Sequence, residues 1–212
     1  MPFTNTSEAG LESLIVKWLV EENHYEQGHN HDYNMEYALD TVRLFRFLKD
    51  TQPDAVEKLQ LETSAQKRTQ FLARVRDEIT KRGIVDVLRK GIKAYPASLI
   101  MFYMTPSVNN PAAAALYAKN IFSVTRQLHF SPDATKLSLD LCIFVNGLPV
   151  ITFELKNQLT KQNADDAVYQ YQHDRNPKEL LFQFTRCMVH FAVDDAQVKF
   201  CTRLQGKESW FL

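Results

Sequence analysis

Apolar residues follow two different periods along this chain, and the change falls near residue 120. Upstream, Leu11, Leu14, Ile15, Trp18 and Leu19 recur at helical spacing behind an Asn5-x-x-Glu8 pair suited to a capping box, which predicts a first helix. Val42, Phe45 and Leu48 predict a second helix that closes near Pro53. A third is expected from about Ala65 to Arg82, closed by Gly83, and a short fourth over Ile84 to Lys93. Thr105 to Pro111 reads as a loop by its turn chemistry, and Ala112 to Ala118 as a helical turn. Downstream, β-branched and aromatic residues dominate. They predict strands over Phe122 to His129, Leu137 to Val145, Val150 to Lys156, Cys187 to Val193 and Val198 to Arg203. Between the third and fourth of these, Ala164 to Arg175 reads as a helix with Asp165 and Asp166 in its first turn and Pro177 beyond its end. The expected class is α/β (α+β): a mixed β-sheet flanked by helices, with a helical insertion.

Composition adds bounds to this picture. With 212 residues, 45% apolar and 24% charged, the chain can bury one substantial core. It is read as a single domain, with a helical segment over about 35–118 inserted into a core built from about 1–30 and 119–212. Lys and Arg number 25 and so do Asp and Glu, whereas a protein that grips DNA unaided usually carries a basic excess. If DNA is the substrate, this piece alone is expected to bind it weakly. Cys142, Cys187 and Cys201 lie in apolar runs without CxxC spacing and read as buried free thiols. No segment resembles a leader or membrane span, so a cytoplasmic location is expected. The apolar close at Trp210, Phe211 and Leu212 suits either a segment of a longer polypeptide or a last strand packed on the core.

Chemistry concentrates in SLDLCIFVNGLPVITFELKN, residues 138–157, which reads as a hairpin turning at Asn146-Gly147. In its second strand Ile151, Phe153 and Leu155 share one face, so Glu154 and Lys156 share the other. The side on which Asp140 emerges depends on the turn. A two-residue turn opposes Asp140 to Phe153 and aims it away from Glu154, whereas a three-residue turn, Val145-Asn146-Gly147 with a bulge at Gly147, opposes it to Thr152 with Glu154 on the diagonal. An odd-numbered turn is therefore expected. Two carboxylates about 5 Å apart repel by roughly 3 kcal/mol at an effective dielectric near 20. With a backbone carbonyl between Asp140 and Glu154, and no His or Cys nearby, the donor set suits a hard cation, best magnesium. Such an ion polarises a phosphodiester oxygen and activates water, while Lys156 stabilises charge on the transferring group. The same letters also occur as solvated charges on an exposed strand, and the surroundings decide between the two.

Those surroundings are NIFSVTRQLHFS, the hairpin with its FVNGLP turn, and ADDAVYQYQHDR, joined by GLESLIVKWLVEEN near the start and RLQGKESWFL at the close. Together they resemble the N-terminal endonuclease domain of type I restriction enzyme R subunits, most weakly across residues 30–80. The resemblance implies a restriction-endonuclease-like PD-(D/E)xK core, magnesium-dependent cleavage of double-stranded DNA, and catalytic roles for Asp140, Glu154 and Lys156, with the Leu155 carbonyl as a metal ligand. It also implies that ATP-driven translocation belongs to helicase domains of the same subunit, and that methyltransferase and specificity subunits are partners. No GxxxxGK[ST] phosphate loop occurs here, so this segment is not expected to bind ATP. The family's QxxxY signature aligns on Gln170, a further catalytic candidate, but places Asp174 where tyrosine is expected. Leu139 likewise stands in place of the usual proline.

Four further readings complete the sequence picture. Glu12, at the border of the first helix's apolar face, is either a metal ligand or a carboxylate reaching solvent. Lys161 and Arg175 are candidate DNA contacts. His24, His29, His31 and Asp32 have spacing a transition metal accepts, yet a polar loop explains the same residues. The basic residues from Lys67 to Arg82 are interspersed with Asp77 and Glu78 and read as a solvated helix face. Two other functional readings stay open: a non-catalytic docking module of the same fold, and a DNA-repair nuclease.

Overall fold

The computed structural model describes residues 8–107, 109–157 and 161–212. The capping box expected of Asn5 and Glu8 falls outside the described residues and side chains. In chain order the elements are α1 (Glu8–Lys17), which continues into a π-helical turn (Trp18–Glu22), β1 (Glu26–Gly28), β2 (Tyr33–Asn34), β3 (Leu39–Asp40), α2 (Thr41–Thr51), α3 (Pro53–Lys58), α4 (Ala65–Arg82) and α5 (Ile84–Lys90). There follow β4 (Ile92–Ala94), β5 (Ala97–Leu99), α6 (Pro111–Tyr117), β6 (Phe122–His129), β7 (Ser138–Val145), β8 (Leu148–Leu155), α7 (Ala164–His173), β9 (Val189–Val193) and β10 (Val198–Cys201). Helix starts obey local chemistry. The side chains of Asp40, Ser64 and Asn163 accept hydrogen bonds from the first turns of α2, α4 and α7, and Gly83 ends α4 at a φ of +80°.

The main sheet has six strands in the order β1-β6-β7-β8-β9-β10. Its pairings β1–β6 and β8–β9 are parallel and the remainder antiparallel, so the architecture is α+β with a mixed sheet. Helix α7 makes the crossover between parallel β8 and β9, as such a connection requires. Two apolar clusters hold the sheet. The larger joins Val16 and Leu19 to α2, α4 and α5 and to Leu141, Ile143, Val145 and Leu155. The smaller joins Tyr171 of α7 to Cys142, Phe144, Phe182 and Leu204. All three cysteines are buried free thiols. Among the described residues no helix is long and apolar enough to cross a membrane. Leu212 exchanges backbone hydrogen bonds with Phe200 of β10, while Trp210 remains exposed.

The hairpin corrects one expectation. Its turn has two residues, because Val145 pairs with Leu148, and Asn146 and Gly147 take φ values of +51° and +80°. The extra residue lies further along: the register shifts between Ile143 and Phe144, so that Val150 bulges and Leu141 faces Phe153. Asp140 and Glu154 are the next pair on that register. A two-residue turn plus one bulged residue achieves the parity that a three-residue turn was expected to supply.

This turn is not solvated. Asn146 is fully buried, accepting from the Ile121 amide at 2.6 Å and donating to the Met101 carbonyl at 2.9 Å, while the Gly147 carbonyl accepts from the Asp40 amide at 2.9 Å. A Cβ on Gly147 would lie 2.3 Å from the Asp40 carbonyl oxygen and 2.7 Å from the Leu44 nitrogen, both backbone atoms. Gly147→Ala combines that clash with a strained φ and is expected to destabilise the chain by about 2 kcal/mol or more, read as a lower urea midpoint. A midpoint within experimental error of wild type would show that the turn does not pin the insertion.

Candidate active site

The register that aligns Asp140 with Glu154 gathers the site at one end of β7 and β8. Asp140 is held at both oxygens: Oδ2 accepts from the Leu155 amide at 2.7 Å and Oδ1 from the Gln127 side chain at 3.1 Å. Glu154 is fully buried; its Oε1 accepts from Arg175 Nε at 2.6 Å, and its Oε2 is a buried oxygen without a hydrogen-bond partner. Burial pushes its carboxyl up to about 8, reinforced by the Asp140 charge and opposed by Arg175 and Lys156. Lys156, only 8% exposed, therefore acts electrostatically on Glu154, and its backbone amide is anchored on the Val193 carbonyl at 2.8 Å.

Arg175 occupies a different place from the one expected. It is 3% exposed rather than free to meet DNA, and its guanidinium is fixed by Glu154, by the Ser138 carbonyl at 2.8 Å and by the Phe130 ring 5.6 Å away. It follows the end of α7 at His173, so its side chain turns back onto the sheet. Lys161, by contrast, is exposed, on the loop before α7 with a φ of +60°. Gln170 is half-buried and shares with Lys136, Ser138, Asp174 and Arg175 the walls of a cleft of about 460 Å³. Glu12 is buried, not solvated: one oxygen binds Arg126 and the other accepts from Gln127 Nε2 at 2.6 Å.

Among the described residues no three His, Cys, Asp or Glu side chains gather at metal-ligand spacing. The oxygen donors at the site are thus the carboxylates of Asp140 and Glu154 and the Leu155 carbonyl, a set that fits a small hard cation. The unpartnered Glu154 Oε2 is the observation in favour of that fit, because a buried carboxylate oxygen lacking any donor is costly unless a cation or proton meets it. His29 and His31 stack at 5.2 Å, and Asp32 is bound by Arg43 at 2.9 Å in a buried charge cluster with Asp40. Basic side chains of α4 are engaged locally, Arg82 with Glu78 and Asp86, Arg74 with the Lys93 carbonyl.

Sequence reasoning missed a buried polar chain beside Glu154. Thr152 Oγ1 lies 2.8 Å from the Tyr171 hydroxyl and 2.7 Å from His190 Nδ1. His190 interrupts the apolar run MVHFAV, which was the available signal; Gln127 gave none.

A mixed sheet carrying an acid pair and a lysine at one end of a central hairpin defines the restriction-endonuclease-like class. The family model described as Type I restriction enzyme R protein N terminus matches residues 5–209 of the 212, and the chain belongs to that family. Comparison with curated proteins returned no significant match.

Burial lowers the His190 imidazole from 6.5 to about 4. The folded state therefore resists a proton that the unfolded chain accepts, so this group's contribution is full above pH 6.5 and fades as the pH falls toward 4, by about 3 kcal/mol at most. Glu154 works in the opposite sense, its metal-free contribution fading as pH rises from 4.5 toward 8. The change in urea midpoint from pH 7 to pH 5 is expected to be more favourable to stability in His190→Gln than in wild type. Equal changes would refute a neutral buried imidazole.

Proposed function

We propose that this chain is the magnesium-dependent DNA-cleaving region of a type I restriction enzyme R subunit. The reading rests on one observation above the rest: a fully buried Glu154 with an oxygen that has no hydrogen-bond partner among the described residues, adjacent to Asp140 and under the charge of Lys156. Membership of the family supplies the biological setting, a restriction complex.

In this reading Asp140, Glu154 and the Leu155 carbonyl hold the magnesium ion. When bound, the ion polarises a phosphodiester oxygen and lowers the pKa of water. The protein supplies orientation and charge. The Leu155 amide fixes Asp140 Oδ2, so the carboxylate keeps one rotamer through the reaction. Arg175 fixes Glu154 Oε1 and offsets its charge, leaving Oε2 as the oxygen for the cation. Lys156 stabilises the negative charge that develops on the transferring phosphoryl group; its role as a base is not required. Gln170 lines the adjoining cleft and Lys161 offers an exposed cation for the DNA backbone. With no net charge on the chain, most phosphate contacts fall to the motor domains and to the methyltransferase and specificity subunits.

The test uses the assembled enzyme. Glu154→Gln and Lys156→Ala are each expected to reduce double-strand cleavage by about 10²-fold or more while ATP-driven translocation continues. Undiminished cleavage by either variant refutes the assigned role of that residue, and undiminished cleavage by both would favour a non-catalytic docking module of the same fold.

A further inference from the structure

Gln127 occupies a strained position for which the sheet itself has no use. It lies in the middle of β6 with a φ of +46°, a left-handed conformation that costs a residue with a side chain about 1 kcal/mol or more. Such residues often mark a register shift, but here the flanking pairs, Arg126 with Leu141 and Leu128 with Leu139, keep one register. What the conformation does accomplish is to aim the amide. Nε2 donates to Glu12 Oε2 at 2.6 Å and to Asp140 Oδ1 at 3.1 Å, while Oε1 accepts from Ser138 Oγ at 2.9 Å. The amino group therefore stands between two carboxylates from different elements, α1 and β7, where a positive charge would otherwise be needed to offset their repulsion.

We propose that Gln127 is a positioning residue for the cation site: it couples Glu12 to Asp140 in the metal-free chain and turns its amide to present Oε1 when the cation enters. The inference deepens the proposed function and rests on its reading of Asp140 as a metal ligand. A half-turn about the last side-chain bond exchanges Nε2 and Oε1. The bond to Ser138 survives the exchange, because a hydroxyl that donates to Oε1 accepts equally from Nε2. After the turn, Gln127 Oε1 takes the place of Nε2 between Glu12 and Asp140 and adds an oxygen donor beside Asp140, the ligand shared with Glu154 and the Leu155 carbonyl. Arg126 on the other Glu12 oxygen keeps that carboxylate oriented throughout.

The alternative is a glutamine that simply ties α1 to the sheet, and two variants separate the readings. Gln127→Met keeps the length and loses every hydrogen bond; Gln127→Glu keeps the acceptors and loses the donors. Calcium binding to the chain is measured by titration calorimetry, and melting temperature is recorded with and without calcium. Gln127→Met is expected to bind calcium about tenfold more weakly than wild type. Gln127→Glu is expected to melt lower than wild type without calcium, to bind calcium at least as tightly, and to show the larger rise in melting temperature on adding it. Asp140→Asn serves as the control that abolishes binding. If both Gln127 variants bind calcium as wild type does while Asp140→Asn does not, the role of Gln127 is overturned and the cation site stands. If the wild-type chain binds no calcium, both fall.

Discussion

Glu154 places a carboxylate where water does not reach it, and an ionised group so placed costs several kcal/mol unless neighbours compensate. Much of the site is arranged around that cost. Arg175 meets one oxygen, and Phe130 and the Ser138 carbonyl fix Arg175 in turn. Lys156 lowers the carboxyl's affinity for a proton while Asp140 raises it. The balance is left incomplete, with the carboxyl near 8 and one oxygen without a hydrogen-bond partner.

The hairpin that carries the acids is also the joint between the sheet and the helical insertion. Buried Asn146 bonds to Ile121 and Met101, and Gly147 to the start of α2 through Asp40. Arg186, 1% exposed, adds a second tie by donating to the carbonyls of Arg76 and Tyr37. Burial without a carboxylate partner pulls its guanidinium down to about 10, so carbonyl oxygens bear that buried charge. The acid pair therefore sits on backbone clamped from both sides, and the loop before β9 is bound to α4. A site that must hold two like charges at fixed separation needs such rigidity, because a relaxed hairpin would let them part.

Long elements were legible because their signals are local. The ranges of α4 and β6 follow directly from apolar period and flanking residues, and Asp165 with Asp166 in the first turn announces α7, whose cap by Asn163 the structure adds. Short pieces escaped: β1 to β5 span two or three residues each, and α3 begins at Pro53 without a full apolar period. A strand of that length exists only because a neighbour pairs with it. Likewise the cap of α2 by Asp40 belongs to a charge cluster whose members, Glu26, Asp32 and Arg43, are scattered through the sequence.

Within the candidate site, the sequence alone pointed to Asp140, Glu154 and Lys156 and determined the alternation that puts the last two on one strand face, which follows from spacing two apart in an extended chain. It did not determine how Asp140 comes to face Glu154. Either of two places for one extra residue gives the required parity, and packing against α2 favours a tight buried turn with the bulge at Val150. Nor did it reveal that Arg175 turns inward, or that Gln127 lies between Glu12 and Asp140, a contact between residues 115 positions apart in one case and 13 in the other. Strand spacing is a property of neighbouring residues and is written in the chain; which charges end up paired in the interior depends on distant segments meeting there, and only the folded structure decides that.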